Sequence, residues 1–181
     1  MKCLPFYSMG TIKDLVDGFA SLVDGFDGML RKTMEESRGD VYDLVTDQLY
    51  SGINGRDKPL RPTYLHDPWF KSDEAGKWKN NGRGYAMWKK EEHPPTPSFQ
   101  GYPPRDVYTP NLIITGEFYS SIRVNVSPEG LKIGSETTMG KDIEKKYGSI
   151  IFGLGPRSRG YFIEYILNPA LKEYFSKFGV L

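Results

Sequence analysis

Nine of the chain's thirteen prolines (Pro59, Pro62, Pro68, Pro94, Pro95, Pro97, Pro103, Pro104 and Pro110) fall between Ser51 and Pro110. Each removes a backbone donor and holds its predecessor extended, which keeps most of this stretch out of regular structure. Regular elements are therefore expected in the flanks, residues 1–50 and 111–181, around a Pro- and aromatic-rich insertion over 51–110. One short helix is predicted inside the insertion, between Asp73 and Glu92, where Trp78, Tyr85, Met87 and Trp88 pack. Gly76, Gly82 and Gly84 weaken it. A segment of this length with little regular structure is characteristically functional, disordered or a partner-binding arm. Its large aromatics, Trp69, Trp78, Tyr85, Trp88 and Tyr102, are expected to anchor a neighbouring protein surface, because Trp and Tyr dominate interface energetics. Lys71, Lys77, Lys79, Arg83, Lys89 and Lys90, mixed with these rings, leave a stacking surface for single-stranded nucleic acid as a second reading.

The N-terminal flank is built on a seven-residue repeat. Leu15-Val16-Asp17-Gly18-Phe19 recurs as Leu22-Val23-Asp24-Gly25-Phe26. Ile12, Leu15, Phe19, Leu22, Phe26 and Met29 alternate three and four apart, so they share one stripe of a helix. Gly18, Gly25 and Gly28 each cost about 1 kcal/mol in a helix interior. Burial of six large apolar side chains, roughly 1.5–3 kcal/mol apiece, outweighs that cost once the stripe docks. Its surface is either the protein's own body or another subunit. Arg38-Gly39-Asp40 is expected to interrupt the helix, and Val41, Leu44, Val45 and Leu49 resume the period. From Lys13 to Asp47 nine acids stand against four bases, giving an acidic outer face. The Asp-Gly pairs lack the alternating ligands of a calcium loop.

The last third carries the clearest local pattern. Thr115 before Gly116-Glu117-Phe118-Tyr119 reads as a helix cap, with Phe118 and Ile122 one turn apart. Ile122 to Val126 alternates apolar and polar, Ser127-Pro128-Glu129-Gly130 turns, and Leu131-Lys132-Ile133 alternates again, which predicts a β-hairpin. Asp142 to Tyr147 predicts a turn or two of helix closed by Gly148. Ser149 to Leu154 reads as a third strand or a buried loop. Gly155 to Gly160 reads as a mobile basic loop. Gly160 to Phe178 predicts an amphipathic helix kinked or broken at Pro169. The fold class is α+β, with a long N-terminal helix, a small sheet built on a hairpin and a C-terminal amphipathic helix.

Little in this pattern is suited to catalysis. Gly155-Pro156-Arg157-Ser158-Arg159-Gly160 has the glycine spacing of a phosphate loop, but Tyr161 stands where the lysine belongs. The two histidines, His66 and His93, form no helical metal pair. Cys3 is the single cysteine, which excludes an internal disulfide and any multi-cysteine metal site. No run of apolar residues approaches a membrane span, and no basic-then-apolar leader opens the chain. A net charge of +1 and a mean hydropathy of -0.51 give no overall basic excess for nucleic acid. No enzyme activity, cofactor, metal or membrane contact is expected.

The order Pro110-Asn111-Leu112, Thr115-Gly116-x-Phe118-Tyr119-x-Ser121-Ile122, hairpin, Lys146-Tyr147-Gly148 and Asn168-Pro169-Ala170-Leu171 resembles the head–tail joining, tail-completion and minor virion proteins of tailed phages. Phe118 stands where that group usually has Leu, and Ile151-Phe152-Gly153-Leu154 replaces its acidic segment. The N-terminal helix followed by Gln48-Leu49-Tyr50-Ser51-Gly52 is similar to proteins of phages and prophages of gut bacteria. The resemblance implies a homo-oligomeric ring in the virion neck, assembled in the host cytoplasm, with portal or adjacent neck and tail ring proteins as partners. Twelve subunits match a ring seated on a portal and six a tail terminator, with twelve favoured. In that setting the insertion contacts neighbours, and Arg157 and Arg159 face an acidic neighbour or, non-specifically, the DNA in the channel. A nucleic-acid-binding accessory protein is the alternative.

Overall fold

A computed structural model describes residues 12–179, so Cys3 lies outside the described residues. The protein is α+β, with two long N-terminal helices, a two-stranded sheet and a C-terminal helical run. α1 (Ile12–Glu36) and α2 (Arg38–Tyr50) meet at Ser37, one residue before the tripeptide expected to interrupt them. The Ser37 hydroxyl donates back to Thr33 O at 2.7 Å, a local bond that competes with the helix ladder where Ser37 leaves helical geometry at φ -91° and ψ 12°.

α2 is the central element. Val41, Leu44, Val45, Gln48 and Leu49 are all buried, because the apolar period that begins at Val41 is enclosed on two sides. One side meets Leu60, Ile151, Phe152 and α4 (Glu117–Ser121). The other meets Val124 and Phe162. The hairpin forms as its alternation predicts. β1 (Arg123–Ser127) pairs antiparallel with β2 (Gly130–Gly134), with Val124 opposite Ile133 and Val126 opposite Leu131. Val124 is buried while Arg123 and Asn125 are exposed, so one face of the ribbon lies on α2.

Several local expectations are corrected. The cap of α4 is Gly116, in the left-handed conformation at φ 86°, and Thr115 only supports it by accepting from Glu117 N at 3.4 Å. Ile122 is already extended, so Phe118 and Ile122 do not share that helix. α5 starts earlier than expected, at Thr138, because the Thr137 hydroxyl accepts from Gly140 N and caps it. It runs to Tyr147 and closes at Gly148. Of the two readings for Ser149 to Leu154, the structure favours the buried loop, since Ser149–Phe152 is a 3₁₀ turn that buries Ile151 and Phe152.

The basic loop expected at Gly155 to Gly160 is instead the start of a helix. α6 (Pro156–Phe162) begins there because Pro156 sits in its first turn, where the missing N–H is harmless. Asp57, from the insertion, supplies the cap by accepting from Arg157 N at 3.0 Å. Gln48, fully buried, fastens the same junction. It donates to Gly153 O and accepts from Gly155 N and the Ser158 hydroxyl, each at 2.9 Å. A Cβ on Gly155 would lie 1.9 Å from Asp57 Oδ1. Gly155→Ala is therefore expected to cost about 1–3 kcal/mol, read as a lower urea midpoint with unchanged slope.

Pro169 does not break the C-terminal helix. A π-helical turn over Ile163–Leu167 joins α6 to α7 (Asn168–Ser176), with Asn168 N bonded to Ile163 O. Widening the ladder ahead of the proline accommodates its ring and lost donor within one continuous run.

Candidate functional site

Two features stand out, a helix face that the body leaves uncovered and a cavity walled by the insertion. α1 spans 25 residues, about 37 Å. Its C-terminal half is covered by α7. Phe26 contacts Tyr174 at 6.1 Å and Phe175 at 6.2 Å between ring centroids, and the Tyr174 hydroxyl donates to Leu22 O. Gly25 permits that approach, since a Cβ there would stand 2.7 Å from Tyr174 Oη. Gly18 holds the same place in the first copy of the repeat, yet nothing lies within 4 Å of its virtual Cβ. Ile12, Val16, Phe19 and Val23 follow at heptad spacing and are 83%, 58%, 56% and 68% exposed. Of the expected stripe, Ile12 and Phe19 are exposed and the Leu15 side chain lies outside the described residues, while Val16 and Val23 belong to a neighbouring line of the helix. Leu22, Phe26 and Met29 are half-buried, whereas Ile12, Val16 and Phe19 are left exposed by the described residues.

The paired glycines give a direct contrast. Gly18→Ala is expected to stabilise the isolated protein by up to about 1 kcal/mol through helix propensity. Gly25→Ala, at the matching position, is expected to destabilise it by displacing the Tyr174 hydroxyl. Parallel urea titrations read both signs.

The aromatics of the insertion pack mainly on one another. Tyr85 lies at the centre of a cluster with Tyr64 at 5.0 Å, Phe70 at 5.2 Å, Trp88 at 5.4 Å and Trp78 at 5.6 Å, and Trp69 reaches it at 6.4 Å. Tyr85 is buried, and Trp69, Trp78 and Trp88 are half-buried. The predicted helix becomes a 3₁₀ segment, Asp73–Trp78, kinked at Gly76, followed by α3 (Gly82–Glu92), which Asn81 caps. Tyr102 is buried elsewhere, where its hydroxyl donates to Asp57 Oδ1 at 2.7 Å. Burial, more than any neighbouring group, pushes its pKa up to about 12. Arg157 covers the Tyr102 ring at 5.0 Å and donates to Gly101 O at 2.7 Å, so much of its capacity is used within the chain. Arg159 is exposed.

A cavity of about 410 Å³ opens between α3, α5, the segment from Pro110 to Phe118 and the 3₁₀ turn Pro68–Lys71. Its walls are mostly apolar, with Trp69, Phe70, Tyr85, Ile113, Phe118 and Ile143 among them. Asp67 caps the 3₁₀ turn by accepting from Trp69 N at 3.0 Å and pairs with Lys146. Glu117 stands on the exposed rim.

Lys89 also borders this cavity and is only 1% exposed. Its ammonium has no hydrogen-bond partner among the described residues. Burial first, and then the Arg105 charge, lowers its pKa to about 8, with Glu92 opposing. Arg105 is itself buried, and its Nε and Nη1 are likewise without partners. Sequence reading placed Lys89 among surface bases. The signal that it is not one is its spacing, since it follows Tyr85 and Ala86 by four and three residues and so shares their inward face.

Among the described residues no three His, Cys, Asp or Glu side chains gather as a metal site, and no helix is long and apolar enough to cross a membrane. His66 Nδ1 lies 2.9 Å from the Thr63 hydroxyl, and His93 Nε2 lies 2.9 Å from Ile114 O. No protein-family model, curated protein or solved structure matches the chain.

Proposed function

We propose that this chain is a structural, non-catalytic subunit of the head–tail connector of a tailed bacteriophage, forming a homo-oligomeric ring that joins portal and tail. The observation that carries the reading is the uncovered stripe Ile12, Val16, Phe19 and Val23 on a helix that extends past its own body. Helices with this glycine content gain their stability from packing, and among the described residues Ile12, Val16, Phe19 and Val23 lack that packing. A second helix or the flank of a neighbouring copy supplies it, and a heptad-spaced face suits that geometry. Rings need heterologous contacts that close by rotation, and a projecting helix gripping the next subunit is one such contact.

The motif order from Pro110 to Leu171 supports the virion setting, since the resembling proteins combine a long N-terminal helix, a small sheet and a C-terminal helix. Twelve subunits, seated on a portal, are favoured over the six of a tail terminator. Burial of Lys89 and pairing of Lys79 with Asp73 leave the aromatic insertion a poorer surface for nucleic acid. Light scattering and negative-stain microscopy of the full chain, alone and with its portal, test the reading. Rings are the expected result. A protein that stays monomeric and co-assembles with no virion component overturns it.

A further inference from the structure

The cavity beside α3 combines two properties that call for one kind of occupant. Its walls are apolar, and the ammonium of Lys89 at its border is buried with no hydrogen-bond acceptor among the described residues. Lys146, the other cation there, is already paired with Asp67, and the carboxylate of Glu117 is exposed at the rim. Behind Lys89, Arg105 adds positive charge with two unpartnered donors, and the buried side-chain amide of Asn111 leaves its Nδ2 unpartnered as well. Every one of these unpartnered groups is a donor. A buried ammonium without an acceptor is costly, and a carboxylate placed against it recovers that cost as a charge-assisted hydrogen bond.

We propose that this cavity is a binding site for an amphipathic monocarboxylate, its carboxylate held by Lys89 and its apolar body lying between Trp69, Phe70, Ile113, Phe118 and Ile143. A volume of about 410 Å³ falls within the usual range for small-molecule sites. A phosphate dianion suits the site less well, because no guanidinium fork is among the lining residues and apolar walls disfavour a second charge. The site goes beyond the ring reading and does not depend on it.

Decanoate serves as the probe, with decanol and decyltrimethylammonium as neutral and cationic controls of the same chain length. Isothermal titration of the full chain at neutral pH is expected to show saturable one-to-one binding of decanoate. Decanol should bind about 10–100-fold more weakly, as loss of a charged hydrogen bond implies, and the ammonium should not bind measurably. Lys89→Met should lose that preference and bind both decanoate and decanol with the wild-type decanol affinity. Ile143→Trp, which fills the cavity without touching the charge, should abolish binding of both, so the test survives poor folding of either variant. Equal affinity for decanoate and decanol, unchanged decanoate binding in Lys89→Met, or no binding of any probe overturns the proposal.

Discussion

Phe19→Asp combined with Val23→Asp is expected to leave the subunit folded and to abolish its assembly. Both side chains are more than half exposed, and neither belongs to a buried core cluster, so the monomer's stability should move by no more than about 0.5 kcal/mol. In a ring seam the same side chains are buried against the neighbour. Each contributes roughly 1.5–3 kcal/mol there, and two aspartates add desolvation to the loss. The combined effect on each contact is on the order of 3–6 kcal/mol, or about 10²–10⁴ in affinity, multiplied around a closed ring. Sedimentation velocity checks the assembly state, and circular dichroism with urea titration checks the fold. Unchanged assembly of this variant would remove α1 from the seam. Loss of the fold would show that the stripe serves the monomer.

Lys89→Met is expected to make the ligand-free protein more stable, an unusual direction for a buried substitution. Methionine matches the aliphatic stem and deletes an ammonium that has no acceptor, which removes a desolvation cost of about 1–3 kcal/mol. The pH dependence gives the sharper check. Folding lowers the Lys89 pKa from 10.5 to about 8, so between those values the unfolded chain binds the extra proton. Wild-type stability should therefore rise as pH is raised through 8, and the penalty is fully present below it. The full difference is on the order of 3 kcal/mol. Tyr64 and Tyr102, raised by burial to about 12, work oppositely and lose stability above pH 10, which limits the useful window to roughly pH 7–9.5. Lys89→Met should lack the rise. Arg105 and Glu92, the charges that act on Lys89, remain in both proteins, so the comparison isolates the one ammonium. Parallel slopes in the two proteins would mean that Lys89 has an acceptor in solution.

Much of the framework was legible in the residues because local chemistry decided it. The hairpin follows from alternation at Ile122 to Val126 and a Pro128-Glu129 turn, which pair as read. α1 and α2 follow from three- and four-residue spacing that no competing pattern contradicts. The helix start at Pro156 was not legible. Its cap, Asp57, comes from about a hundred residues earlier, so no local window contains it. Pro169 similarly looked like a break, and only the π-helical turn ahead of it reveals a continuous helix.

The interaction features divide the same way. Sequence alone determined that a long helix carries an apolar stripe too rich in glycine to stand unsupported, and that the insertion concentrates Trp, Tyr and proline. Tertiary structure decided which of those side chains remain free. Tyr85 and Tyr102 are taken up inside the chain, because aromatic rings gain most where they are desolvated on all sides. On α1, α7 covers Leu22 and Phe26 but leaves Ile12, Val16, Phe19 and Val23 exposed. Lys89 reads like its basic neighbours along the chain. Only the packing of α3 against the cavity turns its charge inward, because burial depends on the neighbours a fold assembles and not on the residue's own hydropathy.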